Sequence, residues 1–393
     1  MGICHEHSTV LKGIIPLWIL YLDSYFYNMV VHPRYKHYFR QTLAFGIIWL
    51  AFGLVYVFIE LGLLGSLDEY PSTGNKYDFK NSLIYTGIFS FLVGLGQGGI
   101  EVLWLKRGLA KFSFRKKILL KSSFYVTFVT LFLITLTLIT NAQRYDAGFF
   151  SPEVVNSLWQ FMQKFAFWSI GIYAAVIIDI ALFYSEMRDY LGSGVIFNYS
   201  YGKYHRPKQE IRIFMFLDMK SSTSIAENMG HEKYFDLLKA YYADMTDAIL
   251  ETSGQIYQYV GDEIVVCWTK KEGVYNNNCI NCFSKISKTI ERKKEHYLVK
   301  FGLVPEFKAG YHIGEVTTGE IGIIKKEIIY TGDVLNTTAR IQAECNTYNA
   351  KALISEDLLD ELQKEDPISF NPIGQLMLRG KKEAIQLYSV VFK

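Results

Sequence analysis

The sequence predicts two dissimilar halves: an α-helical membrane bundle, followed by an α+β domain with a largely antiparallel sheet. Three observations support this division. Half of the 393 residues are hydrophobic, which is a large share for a soluble protein. The apolar excess lies before residue 185, where four stretches are long enough to span a bilayer. After residue 211, short apolar runs of strand character alternate with helical patterns, which is typical of an α+β domain.

Overall charge and cysteine content narrow the class of protein. The net charge of +3 is too small to indicate nucleic-acid binding, so we expect no nucleic-acid partner. The five cysteines are odd in number and scattered, which favours a reducing cytoplasm over a disulfide framework. Cys279 and Cys282 form a Cys-x-x-Cys pair, but no second pair lies at zinc-finger spacing. We therefore interpret them as two cysteines on a helix.

Residues 1–40 form an N-terminal segment with three open interpretations. The apolar run 13–31 contains Pro16 and Asp23 and has marginal length for a span. We favour an interfacial helix, with a fifth span as the second interpretation and a native start at Met29 as the third. A signal peptide is not expected, because the basic front and the small-residue cleavage site are missing.

The membrane domain is predicted at 41–184, with spans at roughly 41–64, 81–104, 122–140 and 158–184. The segment before the first span and the loop after the second are basic, whereas the other two loops carry mixed charge. Basic loops stay in the cytoplasm. The pattern therefore predicts a multi-pass protein of the cell inner (plasma) membrane, embedded in the lipid bilayer, with its C-terminal half in the cytoplasm.

We regard ionisable residues inside the spans as candidate functional residues, because burying charge in a bilayer is costly. Glu60 and Lys164 lie near the predicted outer face, and we expect them to pair. Glu101 and Asp179 lie near the inner face, where they could line a polar cavity or share a proton. Snorkelling at the span ends is the alternative in both cases.

Residues 185–210 are predicted to link the two halves. Their first part can continue the fourth span as a helix until Gly192 or Gly194 ends it. Such a helix could carry motion from the membrane to the second half, and a plain tether is the alternative.

The domain 211–393 alternates strands and helices. Strands are predicted at 211–219, 255–260, 264–268, 307–313, 315–320, 328–330, 352–354 and 386–391. Helices are predicted at 222–253, divided near Gly230, and at 279–294 and 335–345.

Two acidic residues of this domain lie where their side chains could come close together. Asp218 ends a buried strand, and Asp262 lies at the tip of a hairpin. If the two strands are neighbours, the carboxylates face one point, where Mg²⁺ or Mn²⁺ and a phosphorylated substrate would fit. Each acid alone also has an ordinary structural explanation. Asp218 could simply end a strand before the N-cap of a helix, and Asp262 could belong to a common Gly-Asp turn.

A second constellation follows on a predicted helix. Asn336 and Arg340 are four residues apart and so share one helix face. An amide and a guanidinium there can orient a ribose and neutralise charge on a transferring phosphoryl group. A solvent-facing polar pair is the alternative.

Together these motifs resemble, in the family's order, the catalytic domain of class III nucleotidyl cyclases, the adenylyl and guanylyl cyclases. The resemblance covers about residues 205–393. The runs 216–223 (FLDMKSST) and 254–262 are similar to the two metal-aspartate motifs, and 308–322 is similar to the Gly-rich strand pair. The run 336–340 (NTTAR) matches the Asn-xxx-Ala-Arg motif, and 378–381 (LRGK) lies where the family has a basic segment near the triphosphate.

The resemblance implies a ferredoxin-like βαββαβ class III cyclase fold and a two-metal reaction. A nucleoside triphosphate would be converted to its 3′,5′-cyclic monophosphate and pyrophosphate, with two Mg²⁺ or Mn²⁺ ions per site. It implies that the ions are bound by Asp218, Asp262 and the backbone carbonyl of Met219. Asn336 and Arg340 would be catalytic, and the substrate would also meet Ser221, Ser222, Thr223, Gln258, Ile329 and Arg379.

The resemblance also implies a head-to-tail homodimer. Asp218 and Asp262 would come from one protomer, and Asn336 and Arg340 from the other. Because one chain contains all four residues, a homodimer could form two complete sites.

The positions that read the purine depart from the family pattern. Adenylyl cyclases have a Lys and an Asp where this chain has Gln258 and Ile329, and guanylyl cyclases have a Glu and a Cys. Gln258 could read several bases, whereas the side chain of Ile329 forms no hydrogen bond. Base specificity is therefore open, with ATP favoured as the commoner substrate of the family.

Two other functions compete with a cyclase. A diguanylate cyclase also binds its metal ions through carboxylates, but Val260 replaces the first Gly of its hairpin motif in this chain. A catalytically silent membrane receptor with a cyclase-like dimerisation domain is the other alternative. Because both predicted outer loops are short, we expect the activating signal to be a membrane signal or a membrane-protein regulator.

Overall fold

The computed structural model describes residues 32–65, 67–70, 76–192, 195–363, 368–378 and 383–392. The interpretations of the run 13–31 and the role implied for Arg379 concern residues outside these ranges. The chain divides into a unit formed by His37–Leu191 and a unit that contains Gly192–Lys393.

The first unit holds the helices that can cross a bilayer. Four helices in the described part of the chain are long and apolar enough to do so, which confirms the predicted number of spans. They are α1 (Pro33–Leu64), α2 (Phe79–Ile100, continued by a π-helical segment Glu101–Leu105 and a short turn Lys106–Gly108), α3 (Phe114–Tyr145) and α5 (Phe165–Leu191), with α4 (Pro152–Gln163) before the last.

The fourth span begins later than predicted, whereas its continuation into the linker agrees with the prediction. Lys164 has extended backbone angles (φ −80°, ψ 143°), so the helix breaks there and the span begins at Phe165 rather than at residue 158. The same helix continues past residue 184 to Leu191, and Gly192 (φ +94°) follows it, as predicted for the start of the linker.

A buried charge cluster joins three of the spanning helices. The Lys121 ammonium on α3 binds the Glu101 carboxylate of α2 and, at 2.6 Å, the Glu186 carboxylate of α5. The expectation that Glu101 shares a polar site with Asp179 is wrong, because Lys121 is its partner and Asp179 is exposed. Glu60 accepts a hydrogen bond from Ser82 (2.7 Å), and its pairing with Lys164 stays a prediction.

The second unit is built on an eight-stranded sheet. The strand order is β2-β3-β1-β4-β6-β8-β7, and β5 pairs with β4 outside this path. The pair β4–β6 is parallel and the others are antiparallel, which confirms the largely antiparallel sheet. The strands are β1 (Lys208–Met219), β2 (Gln255–Val260), β3 (Glu263–Thr269), β4 (Phe307–Ile321), β5 (Glu327–Thr331), β6 (Ala352–Ser355), β7 (Ile368–Leu376) and β8 (Ile385–Phe392).

Helices connect these strands and cover both faces of the sheet. Gly230 (φ +83°) separates the helices Ser222–Met229 and His231–Glu251, as predicted. The helices are α6 (Val195–Ser200), α7 (Ser222–Met229), α8 (His231–Glu251), α9 (Lys270–Val274, followed by a 3₁₀ turn Tyr275–Asn277), α10 (Asn278–Arg292), α11 (Lys294–Phe301), α12 (Asp333–Thr347) and α13 (Glu356–Leu359).

Two strand predictions need correction. The predicted strands 307–313 and 315–320 form one continuous strand, β4, whose far half pairs with β5 rather than with its own beginning. Strand β7 was not predicted from the sequence.

Alternation along β1 assigns its side chains to two cores. Ile213, Met215 and Leu217 pack with α8 and α10, in the same core as the buried Cys279 and Cys282. This burial fits the interpretation of the two cysteines as residues of a helix. Phe214 and Phe216 face the opposite side and pack near α12. Because side chains alternate along a strand, Asp218 lies on the face that α12 covers.

The contact between α12 and β4 generates a stability prediction. A Cβ atom at Gly310 would lie 2.3 Å from the backbone nitrogen of Gln342. We expect Gly310→Ala to destabilise the protein by about 1–3 kcal/mol, because the helix must move away from the strand. Thermal unfolding of the full chain in detergent measures this. Gly319→Ala in the same strand is the control, since its nearest atoms lie at 3.5 Å. Equal unfolding temperatures for the two variants would contradict the close contact.

The buried charge cluster generates a second prediction. We expect Lys121→Met to destabilise the bundle by about 3–5 kcal/mol, because it leaves the buried Glu101 carboxylate without its cation and leaves the Glu186 carboxylate with only Lys117, at 3.7 Å. Lys116→Met removes an exposed cation from the same helix and should have little effect. Adding Glu101→Gln and Glu186→Gln to Lys121→Met should restore most of the unfolding temperature. If Lys121→Met alone unfolds at the wild-type temperature, the cluster does not stabilise the bundle.

Candidate active site

Asp218 and Asp262 meet at one end of the sheet. Strand β1 pairs with β3 from Arg212 to Leu217, so the next residue, Asp218, lies beside the β2–β3 turn that holds Asp262. The two carboxyl groups are close enough to share a hydrogen bond. The turn is fixed by Tyr242 of α8, whose hydroxyl donates to the Gly261 carbonyl at 2.9 Å.

The surroundings of this corner raise the pKa of two of its acids, Asp218 and Glu263. Burial and the neighbouring Asp262 raise the pKa of Asp218 to about 6. Burial and the two aspartates also raise the pKa of Glu263, the next residue, to about 7. Two groups act in the opposite direction on Asp218: the Lys308 ammonium at 3.5 Å and the Gln342 amide, which donates at 3.2 Å. Negative charge is therefore concentrated here beyond what the neighbouring donors balance.

This donor set suits a hard divalent cation. Two converging carboxylates that are difficult to ionise together would be relieved by Mg²⁺ or Mn²⁺. Within the described ranges, no group of three or more His, Cys, Asp and Glu side chains could hold a metal ion. The Met219 carbonyl, water and substrate phosphates would have to supply the other ligands, and Mg²⁺ commonly keeps such ligands.

The residues implied to hold phosphates surround the start of α7. Ser221 precedes the helix with a left-handed backbone (φ 55°), and Ser222 is its first residue. Ser221 and Thr223 are exposed. The free N–H groups of a helix start and these hydroxyls can bind phosphate oxygens, directly after the strand that carries Asp218.

Asn336 and Arg340 lie on α12, away from its buried side. Asn336 is exposed and Arg340 is partly exposed, whereas Thr338 and Gln342 are buried. At 3.6 residues per turn, Gln342 points roughly opposite to Arg340. Among the described residues, no ion pair joins Arg340 to Asp218 or Asp262. One chain therefore brings the two aspartates together but does not bring Arg340 to them.

The two positions implied to read the base lie on β2 and β5. The residues next to them in sequence are in contact. Gln258 is exposed and pairs with Val265 next to a bulge in β2. Ile329 pairs with Gly319 in β5. Tyr257 and Tyr330 are in contact, with ring centroids 4.9 Å apart.

Sequence reasoning missed four residues of this site: Glu263, Lys308, Gln342 and Tyr242. Glu263 had a signal, because it directly follows Asp262. Gln342 had none, since 124 positions separate it from the aspartate it contacts.

The raised pKa of Asp218 predicts a pH dependence of stability without metal. Below about pH 4, Asp218 is protonated in both the folded and the unfolded chain, so it costs no stability. Between about pH 4 and pH 6 the unfolded chain loses this proton while the folded chain keeps it, so stability falls as the pH rises and then levels off above about pH 6. In a metal chelator, Asp218→Asn should therefore unfold at a higher temperature than wild type at pH 8, with the difference vanishing near pH 4. A difference independent of pH would contradict this account.

Comparison with known proteins shows which family the region around this site resembles. The sequence profile of the adenylate and guanylate cyclase catalytic domain matches residues 203–391. Adenylate cyclase 2 of Rhizobium meliloti (strain 1021) is 34% identical over 222 residues, which cover 56% of this chain and 61% of the relative. Adenylate cyclase 1 of the same strain is 26% identical over 190 residues, or 47% of this chain and 28% of the relative.

The crystal structure of the adenylyl cyclase CyaB from P. aeruginosa is similar at a TM-score of 0.43 and 21% identity, covering 48% of this chain and 97% of that one. The chain spans less than two thirds of the length of these two Rhizobium relatives. The profile match agrees with the predicted class III cyclase fold and covers almost the whole second unit. Residues 203–391 of this chain therefore match the adenylate and guanylate cyclase catalytic domain family, and four helices of membrane-spanning length precede the matched region.

Proposed function

We propose that this protein is a membrane-anchored nucleotidyl cyclase, which converts ATP to the 3′,5′-cyclic monophosphate and pyrophosphate. The contact between Asp218 and Asp262 carries the proposal, because it creates a paired-carboxylate site next to a helix start that can bind phosphate. ATP is favoured because the relatives in the comparison are adenylate cyclases.

The reaction needs few groups from the protein. The ribose 3′-oxygen forms a bond to the α-phosphorus, the bond from that phosphorus to the pyrophosphate oxygen breaks, and the 3′-hydroxyl proton leaves. When bound by Asp218, Asp262 and the Met219 carbonyl, Mg²⁺ or Mn²⁺ supplies charge neutralisation and acidifies that hydroxyl. Ser221, Ser222, Thr223 and Arg379 would hold phosphate oxygens.

Asn336 and Arg340 would act on the ribose and on the developing charge. The Asn336 amide orients the ribose, and the Arg340 guanidinium stabilises the transition state. Both side chains lie away from the α12 face that touches Asp218. A second copy of the chain, arranged head to tail, would therefore supply them to the carboxylates of the first.

The membrane half sets the proposed location. The alternation of basic and mixed loops supports an inner-membrane protein with a cytoplasmic catalytic domain. The short predicted outer loops favour a signal within the membrane, or a membrane-protein regulator, over a soluble ligand.

A cyclase of the same mechanism for GTP or another base is the second candidate. Ile329 favours it, because its side chain cannot form the hydrogen bond that an Asp forms with adenine. Gln258 both donates and accepts, so it is compatible with more than one base.

Assay of the purified chain with Mn²⁺ and each nucleoside triphosphate tests the proposed function. We expect cyclic AMP from ATP, and a loss of about 100-fold or more in Asp262→Ala and in Arg340→Ala, because each removes charge stabilisation at the reacting phosphate. An equal mixture of the two variants should recover about a quarter of wild-type activity, since half of the dimers then hold one intact site of two.

Each other outcome has a distinct meaning. A cyclic dinucleotide made from GTP alone would indicate a diguanylate cyclase, and no cyclic nucleotide from any substrate would indicate a silent receptor. Loss of activity in both single variants, without recovery on mixing, would contradict sites shared between chains.

A further inference from the structure

Asp218 is tied to helix α12 of its own chain at two points. The Gln342 amide donates to the Asp218 carboxylate at 3.2 Å. The Lys308 ammonium lies 3.5 Å from the same oxygen and also donates to the side-chain amide oxygen (Oδ1) of Asn346 at 3.1 Å. Gln342 and Asn346 are one helical turn apart. The carboxylate and one side of α12 are therefore linked both directly and through a buried lysine.

The surroundings of this link are closely packed. Gln342 is 6% exposed and Lys308 is 8% exposed. Asp218 and Lys308 are partners in the β1–β4 register. At Gly310, two residues further along β4, the strand backbone contacts that of Gln342 so closely that a side chain would not fit. A shift of Asp218 is therefore transmitted to α12 rather than absorbed by loose packing.

The same helix presents Asn336 and Arg340 on another side. In the proposed head-to-tail dimer, these residues serve the active site whose carboxylates belong to the partner. Helix α12 thus touches the metal carboxylate of one site and supplies the arginine of the other. The two functions lie on opposite sides of one helix of about four turns, with Arg340 and Gln342 only two residues apart.

We propose that Gln342 is a positioning residue that couples the two active sites of the dimer: it orients Asp218 in one site and, through α12, fixes Arg340 in the other. This inference rests on the proposed function. The amide orients the carboxylate for the cation, and cation binding in turn holds the helix that carries Arg340. Occupancy of one site therefore improves the geometry of the second.

Mixed dimers with a single complete site test this coupling. One chain carries Arg340→Ala and supplies the carboxylates, and the other carries Asp262→Ala and supplies the arginine. Different affinity tags allow the mixed dimer to be purified. Gln342→Met, which keeps the length of the side chain but removes its amide, is then placed on either chain.

The two placements should give different results. On the chain that supplies the carboxylates, Gln342→Met should weaken Mn²⁺ binding about tenfold, as loss of a group that orients a metal ligand does. Electron paramagnetic resonance of free Mn²⁺, without nucleotide, measures this. On the chain that supplies the arginine, it should leave Mn²⁺ affinity unchanged and lower kcat about 3- to 10-fold, with KM for the nucleotide unchanged.

Two further variants guard against a mere folding defect. Gln375→Met makes the same change at an exposed glutamine and should alter neither value. Asn346→Ala removes only the exposed partner of Lys308 and should reproduce both effects more weakly.

The outcomes separate this inference from the proposed function. If the mixed dimer without Gln342→Met is inactive, the shared site itself is wrong. If that dimer is active but Gln342→Met affects only Mn²⁺ binding on the carboxylate chain, Gln342 serves one site and the coupling is overturned. Equal effects from both placements would overturn it as well.

Discussion

The contact between Asp218 and Asp262, in a partly buried corner of the sheet, is the constraint that shapes the candidate site of the second unit. Burial and the neighbouring Asp262 raise the pKa of Asp218 to about 6, so the ionised form of Asp218 opposes folding. The Lys308 ammonium and the Gln342 amide offset part of this cost. A cation bound between the carboxylates would remove most of the rest. Strain of this kind, relieved by a ligand, is a physical reason to regard the corner as a functional site.

The two sides of helix α12 have different roles. Its buried side packs on β1 and β4, where Gly310 and Gly314 leave room for it, and its other side presents Asn336 and Arg340. Because one helix cannot point both sides at the same carboxylates, the proposed cyclase requires a second chain. In the membrane half, a buried lysine between two glutamates joins the helices. It links α5, the helix before the linker, to α2 and α3.

Local patterns in the sequence predicted most elements and the aspartates with their strand settings. The errors have identifiable causes. Gly314 suggested a break in β4, but its missing side chain admits Val334 of α12 instead. Pro372 and Gly374 concealed β7, an edge strand that accommodates them at a bulge. Contacts such as Gln342 with Asp218 join distant segments, and no spacing rule reveals them. The break at Lys164 was missed because the polar pair Gln163 and Lys164 is flanked on both sides by apolar residues, so the two helices were predicted as one span.

The central claim is that the carboxylates of one protomer meet Arg340 of another. A spin label reports this directly if Arg340→Cys carries it on a chain that also has Asp262→Ala and Cys4→Ser, paired with an unlabelled chain. The other cysteines, Cys267, Cys279, Cys282 and Cys345, are buried and so protected from labelling. Mn²⁺ then binds only the unlabelled chain. Our account predicts strong magnetic broadening of the label by Mn²⁺ in this mixed dimer. Broadening only when label and intact carboxylates share one chain would contradict it.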